Sequence, residues 1–135
     1  SNIFDMTTSM EIVGSGSQVS PEMYQQQVAP TLVGFGKKDP SGTCPVCREL
    51  TPELNYGFGV VLNGDWITQT KSFYGSSASG GYLPSQKLTI SVIANTAQDG
   101  FGPDGAYLNQ NASFSIFTDI ANLVAPGLAP PPRSG

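Results

Sequence analysis

The sharpest chemical pattern in this chain is a pair of cysteines, Cys44 and Cys47, separated by two residues. Such a pair is a redox site when it opens a helix in a βαβ unit, half of a zinc site when two further ligands exist, or a disulfide. The surrounding segment is rich in proline and glycine, and the sequence holds no third cysteine and no histidine. A structural disulfide, typical of an exported protein, fits this context best, and the redox site is the alternative.

The absence of histidine limits the catalytic chemistry that this chain can perform. It removes the commonest general base and the commonest metal ligand, so we expect no metal site and no cofactor. Asp99 and Asp104 lie in a glycine-rich stretch, but their spacing does not fit a calcium loop. Ser1 is a candidate nucleophile if its own α-amino group, with a pKa of about 7.7–8.0, serves as base. The alternative role of Ser1 is that of a helix cap.

The length and charge of the chain exclude several classes of protein. At 135 residues it forms at most one domain, and only 12% of the residues are charged, roughly half the usual share. The net charge is −4, and of the six basic residues only Lys37 and Lys38 are adjacent. Binding to nucleic acid requires clustered cations, so we expect no nucleic-acid partner. No apolar run approaches 18 residues, so we expect no transmembrane segment.

The first part of the chain predicts helices followed by a long loop. Apolar residues at helical spacing indicate a first helix that Ser1 caps. Ser20-Pro21-Glu22 begins a second helix, which runs to about Val28, because serine is a common cap and proline suits the first helical position. Residues 1–30 are therefore expected to form a helical segment. Residues 31–55 contain many helix and strand breakers and are expected to form a loop that carries the two cysteines.

The second part of the chain predicts an antiparallel sheet and a terminal helix, which makes the fold class α+β. Residues 56–125 hold three to four strands and then an apolar helical stripe that packs on the sheet, the strands falling at about 56–62, 65–72, 77–83 and 87–95. Residues 126–135 are predicted to form an exposed, proline-rich tail. Because a sheet needs cover on both faces and the first two helices are short, we expect this domain to be incomplete and a partner segment to finish its core.

Several segments, in the same order, resemble a known superfamily. Tyr56-Gly57-Phe58-Gly59-Val60 is similar to its "YGLGW" strand, and Tyr82-Leu83-Pro84 with Val92-Ile93-Ala94-Asn95 to its "YLP…VVLAN". The helix starts at Ser1 and Ser20 resemble its "S-x-x-D-M" and "LSPE" segments. The superfamily is that of the serine β-lactamases and penicillin-binding proteins, which includes D-alanyl-D-alanine carboxypeptidases and esterases. The resemblance implies the C-terminal portion of that fold.

The resemblance also implies site residues. Gln69-Thr70-Lys71 falls where the family has Lys/His-Thr-Gly, which binds substrate, and only Thr70 agrees. Gln69 cannot act as acid or base, and Lys71 fills the space that glycine leaves open. A bulge could instead present Lys71 as the cation, since residues 69 and 71 share a strand face. The backbone N–H of Ser72 corresponds to the family's oxyanion donor, a role that survives a change of side chain.

The nucleophile motif of the family, Ser-x-x-Lys, is absent from this sequence. Tyr107-Leu108-Asn109 matches the Tyr-x-Asn letters but follows the Thr70 strand, whereas the family's tripeptide precedes its strand, so we interpret it as chance. The resemblance therefore implies a missing N-terminal segment that carries the nucleophile. The chain alone should be inactive.

The functional expectation is the C-terminal part of an exported serine hydrolase, located in the periplasm, the cell envelope or the medium. It would transfer the acyl group of a peptide, a β-lactam or an ester. One alternative is a non-catalytic binding or scaffolding protein of the cell envelope that kept the fold. Another is a self-contained α+β binding module.

Overall fold

In a computed structural model, the described residues form three α-helices and a five-stranded antiparallel sheet. The structure describes residues 2–44, 47–73, 75–106, 108 and 111–131. The helices are α1 (Ile3–Ser15), α2 (Pro21–Gln27) and α3 (Ala112–Val124), and the strands are β1 (Leu54–Tyr56), β2 (Val61–Asn63), β3 (Trp66–Phe73), β4 (Ser76–Leu83) and β5 (Leu88–Asn95). The expected α+β class is confirmed.

The two N-terminal helices begin at side-chain caps. The Oδ1 atom of Asn2 accepts hydrogen bonds from the backbone N–H groups of Phe4 and Asp5 at 2.9 and 3.0 Å, so Asn2 caps α1. The prediction that Ser1 is the cap was wrong by one residue, and Ser1 itself lies outside the described residues. Ser20 caps α2 as predicted, its Oγ accepting from the N–H of Met23 at 3.3 Å. Both helices thus begin where a short polar side chain satisfies their first free N–H groups.

The strands form a simple meander in the order β1-β2-β3-β4-β5, with every neighbouring pair antiparallel. The sheet has five strands and not the expected three to four, because the strand predicted at 56–62 is a hairpin. Gly57 N–H donates to Val60 O at 3.0 Å, and Gly59 between them has a φ of +74°. Glycine adopts this left-handed conformation at little cost, so the chain reverses inside the apolar run. The other three strands lie within a residue or two of their predicted positions.

One face of the sheet packs against α1 and α2. Its apolar cluster contains Met10 from α1, with Tyr24 and Val28 at its edge, and the sheet contributes Val60, Leu62, Ile67 and Tyr82. The backbone of α1 comes very close to β4, because a β-carbon at Gly14 would lie 2.2 Å from Tyr82 Cβ. Gly14 lies inside α1, which ends at the left-handed Gly16. Gly14 therefore allows α1 and β4 to pack closely.

The opposite face packs against α3. Its cluster joins α3 to the last strands through Trp66, Leu83, Ile90, Val92, Phe114, Phe117, Ala121 and Ala125. Trp66 and Phe117 meet edge to face, with ring centroids 5.1 Å apart. The predicted apolar stripe of the terminal helix is thus confirmed at its buried positions. Because α1 and α3 lie on opposite faces, the centre of the sheet is covered on both sides.

The proline-rich tail is not exposed throughout. Leu128 and Ala129 pack against the α3-side cluster, Pro130 is buried, and the Trp66 indole N–H donates to Leu128 O. The prediction of an exposed tail was therefore wrong for residues 128–131. The single tryptophan needs a buried acceptor for its N–H, and the tail supplies that acceptor. Residues 132–135 lie outside the described residues.

Candidate functional site

The triplet Gln69-Thr70-Lys71 lies in the middle of β3. Gln69 and Lys71 pair with Gly80 and Ala78 of β4. Both side chains are exposed and lie on the face of the sheet that carries α1. Thr70 pairs with Ser79, is half-buried, and lies on the α3 face. The sequence prediction that residues 69 and 71 share a face is confirmed, and the structure separates Thr70 from both.

The outer edge of β3 carries the backbone groups of Thr70 and Ser72. A two-residue turn joins Asn63 to Trp66, so these two residues form the closing hydrogen-bonded pair of the β2–β3 hairpin. Hydrogen-bonded and non-bonded pairs alternate along an antiparallel ladder. The backbone N–H and C=O groups of Thr68 therefore also face β2, and those of Thr70 and Ser72 point to the same side. The last residue of β2, Val61, lies opposite Thr68. The amides of Thr70 and Ser72 therefore point past the end of β2.

The Gln69 side chain lies against its own strand. Its Oε1 accepts a hydrogen bond from the Thr70 backbone N–H at 3.2 Å, which agrees with the direction that the ladder gives this amide. The bulge considered for Lys71 is absent, because β3 and β4 pair residue by residue from Ile67↔Tyr82 to Phe73↔Ser76. Lys71 thus keeps its exposed position on the α1 face.

A buried hydroxyl network behind Thr70 was not foreseen from the sequence. The Ser79 and Ser113 hydroxyls are 2.8 Å apart, and the Ser113 backbone N–H donates to Ser77 Oγ at 3.2 Å. Ser113 lies in the first turn of α3, so β4 satisfies a free N–H group at the start of this helix. The only sequence signal was a run of small polar residues in an otherwise apolar strand. The network fixes the start of α3 against the strand that pairs with the triplet.

The two cysteines form the expected disulfide, with Cα atoms 5.3 Å apart. Asp39 organises the loop before them: its Oδ1 accepts from the Ser41 hydroxyl at 2.7 Å and from the Ser41 N–H at 2.9 Å, and its Oδ2 accepts from the Cys44 N–H at 2.8 Å. These hydrogen bonds, those from Ser41 first, lower the pKa of the Asp39 carboxyl below its ordinary value. The loop is thus held by an ionised carboxylate as well as by the disulfide.

A cavity of about 430 Å³ separates the disulfide loop from the β1–β2 hairpin. Cys47 and Arg48 lie on one side of it, and the apolar side chains of Leu54, Tyr56 and Val61 on the other. The strand pairings place Val61 on the same face of the sheet as Thr70. Among the described residues that line the cavity there is no serine, threonine or carboxylate and no residue of the triplet.

The remaining candidate metal-binding and catalytic residues form no site among the described residues. Asp99 lies in a short 3₁₀ helix and Asp104 in a turn, and the described residues contain no group of three or more metal-ligating side chains. Tyr107 and Asn109 lie outside the described residues, as Ser1 does. Within the described part of the chain, no helix has the length and apolar character needed to cross a membrane.

The comparisons with known proteins identify no relatives. No protein-family model, no curated protein and no solved structure matches this chain.

Proposed function

We propose that this chain is the C-terminal part of an exported serine hydrolase of the β-lactamase and penicillin-binding type. In this proposal β3 forms one wall of an active site, and a missing N-terminal segment carries the nucleophilic serine. The substrate is a peptide, a β-lactam or an ester, and the reaction is acyl transfer through a serine ester. The proposal begins from the sequence resemblance, and the geometry of β3 adds a physical argument for one of its roles.

The single observation that carries the proposal is the direction of the Ser72 amide. Acyl transfer needs a hydrogen-bond donor aimed at the developing oxyanion, and a backbone N–H held in a sheet is rigid enough for that task. The amide of Ser72 points past the end of β2 and is not used by the β3–β4 ladder. A substrate lying beside β3 could therefore reach this donor. Thr70, two residues earlier, presents its backbone on the same side.

Two further observations agree with a larger exported protein. Large apolar side chains remain exposed to solvent, with Phe4, Phe58 and Leu123 each at least 80% exposed. A segment that covered these side chains would remove their apolar surface from water. The Cys44–Cys47 disulfide suits an oxidising compartment.

The second candidate function is a non-catalytic protein of the cell envelope that kept this fold. Gln69 favours it, because a neutral carboxamide stands where the family has a cation or a proton carrier. Its Oε1 is also engaged by the Thr70 N–H. A site of this kind could still bind a polar ligand through the β3 edge.

The test uses the product of the complete reading frame and a fluorophosphonate probe that labels activated serines. We expect one serine outside residues 1–135 to be labelled. Ser72→Pro should slow labelling by about 100- to 1000-fold, the usual cost of losing one oxyanion donor. Proline removes the amide N–H, and that N–H makes no ladder bond to β4, so the sheet should persist.

Matched variants separate the donor from the fold. Ser72→Ala keeps the amide and should label at the wild-type rate. Lys71→Pro removes an amide that faces β4 and should lower the melting temperature instead. An unchanged labelling rate in Ser72→Pro would contradict the oxyanion role. If no serine reacts at all, the non-catalytic alternative is supported, and labelling of Ser1 would replace both proposals with an N-terminal nucleophile.

A further inference from the structure

A second cavity, also of about 430 Å³, opens on the face of the sheet that carries α1 and α2. Its described lining is mainly apolar and includes Val28, Leu62, Ile67, Pro30, Pro52 and Pro84. The cavity lies where β3 begins, because Trp66 is also part of the lining. Ser72 lies six residues further along the same strand, ~20 Å away. The cavity is therefore separate from the candidate site at the edge of β3.

Asn55, in the lining of this cavity, has an unused hydrogen-bond acceptor. Its side chain is 1% exposed and lies beside that of Leu62, its partner across the β1–β2 ladder. The Nδ2 atom donates to Thr51 O at 3.1 Å, and Pro52 O lies 3.5 Å from the same nitrogen. Two carbonyl oxygens beside the nitrogen fix the orientation of the carboxamide, since its own oxygen is only an acceptor. Oδ1 is buried and has no hydrogen-bond partner among the described residues, so the site lacks one donor.

The charge of the lining residues indicates which kind of donor fits. Asp65 lines the cavity and is exposed, and the described lining residues include no lysine or arginine. The Tyr24 hydroxyl is not a donor for Asn55, because it donates to Gly14 O. Asn55 Oδ1 and the Asp65 carboxylate are both acceptors. A cation that carries N–H groups is therefore favoured over an anion, which the carboxylate repels.

We propose that this cavity binds a primary amine whose ammonium group is joined to a compact apolar body such as an aromatic ring. The ammonium donates one N–H to Asn55 Oδ1, faces Asp65, and keeps water on its other N–H groups. The apolar body lies against Leu62, Ile67 and the prolines. Burial of that body supplies most of the affinity, and the ammonium sets the specificity. The inference does not depend on the proposed hydrolase activity.

The test is a titration of the 135-residue chain with 2-phenylethylamine. Trp66 is the only tryptophan, is 1% exposed and lines the cavity, so its emission reports binding directly. We expect a saturable change of this emission together with a shift of the Asn55 side-chain NH₂ signals in ¹⁵N NMR spectra. 2-Phenylethanol has the same ring and no charge, and it should bind about tenfold more weakly, because charged donors form stronger hydrogen bonds. 3-Phenylpropionate should give no saturation.

Variants of the two acceptors test the polar contacts. Asn55→Leu removes the acceptor and should weaken binding of the amine by about tenfold or more. Because this variant also loses the hydrogen bond to Thr51 O, its melting temperature is measured alongside. Asp65→Asn changes an exposed side chain and should weaken binding by about two- to fivefold, less so at high salt. Glu11→Gln removes the same charge from an exposed position of α1 and is the matched control, which should bind as the wild type does.

Three outcomes would overturn the inference. Equal binding of the amine and the propionate would show that the site does not select a cation. No saturation with any of the three compounds would leave an ordered water as the only partner of Asn55. Unchanged amine affinity in Asp65→Asn and in folded Asn55→Leu would place the compound elsewhere on the protein. If Asn55→Leu does not fold, Asp65→Asn and the comparison of the three compounds decide.

Discussion

Gly14 of α1 and Tyr82 of β4 are in such close contact that a β-carbon on Gly14 would lie 2.2 Å from Tyr82 Cβ and 2.5 Å from its Cγ. This contact sets the distance between α1 and the sheet. Met10, one turn earlier in α1, lies against Gly80 in the same way. The absence of side chains at Gly14 and Gly80 therefore sets how closely α1 approaches the sheet.

Gly14→Ala should destabilise the protein although alanine is the better helix former. The helix gains about 1 kcal/mol from the substitution, but the added methyl group forces α1 away from Tyr82, and such overpacking typically costs about 1–3 kcal/mol net. Chemical denaturation followed by circular dichroism measures the difference. Ser9→Ala, at an exposed position of α1, is the control and should be neutral or slightly stabilising. Equal stability of both variants would show that the contact does not limit the packing.

The effects of removing the two hydroxyls of the buried Ser79–Ser113 pair on the free energy of unfolding should not be additive. Ser113→Ala leaves Ser79 Oγ buried without its partner, at a cost of about 1–3 kcal/mol. Because the two residues are in contact, the double alanine variant should lose less than the sum of the single variants. A double-mutant cycle in urea measures this coupling. Ser115→Ala, exposed on α3, should change the free energy of unfolding by no more than about 0.5 kcal/mol. Strict additivity would contradict the network.

Truncation after Gly127 should expose the only tryptophan. The variant loses Leu128 O as acceptor for the Trp66 indole and also the apolar cover of Leu128 and Ala129. Loss of the buried hydrogen bond alone costs about 1–3 kcal/mol. We expect a red shift of tryptophan emission together with a lower melting temperature. A chain that ends at Pro131 retains these contacts and should behave as the wild type. An unshifted emission spectrum in the shorter chain would refute the role of the tail.

The loop before the disulfide should loosen in acid. The Ser41 hydroxyl and the N–H groups of Ser41 and Cys44 lower the pKa of Asp39 in the folded protein. A depressed carboxyl pKa stabilises the fold at pH values above the unfolded pKa of about 3.9, and this contribution is lost as pH falls through the folded value. The side-chain carbonyl ¹³C shift of Asp39 should therefore titrate below the ordinary range. In Asp39→Asn the Cys44 amide signal should become insensitive to acid. A titration at or above the ordinary value would contradict the assigned hydrogen bonds.

Much of the fold could be predicted because local patterns and tertiary packing agree. The β-branched alternation of residues 88–95 gave a strand, and the apolar stripe of residues 114–124 gave a helix; both are present. The hairpin at Gly57 and Gly59 was missed because the apolar run around it reads as one strand, whereas only the left-handed φ of Gly59 shows the reversal. The buried tail was missed because proline-rich composition predicts exposure and does not reveal a tryptophan that needs an acceptor.

The candidate site was predictable in sequence position and not in role. Alternation along a strand placed residues 69 and 71 on one face and Thr70 on the other, as the structure does. Whether a bulge would re-aim Lys71 depended on the pairing with β4, and that pairing is regular. The engagement of Gln69 Oε1 by the Thr70 amide is a contact between neighbours that residue types alone do not predict.

The sequence by itself determined the class of the fold, the places where most helices and strands begin, and the disulfide, because capping, alternation and cysteine spacing are local properties. Only the tertiary structure decided which backbone groups the strand ladders use. The length of β2 leaves the Ser72 amide beyond the β2 ladder, and among the described residues no strand follows β5 in the sheet. Both facts depend on where each strand ends and on what packs beside it, which are properties of the assembled sheet and not of any single segment.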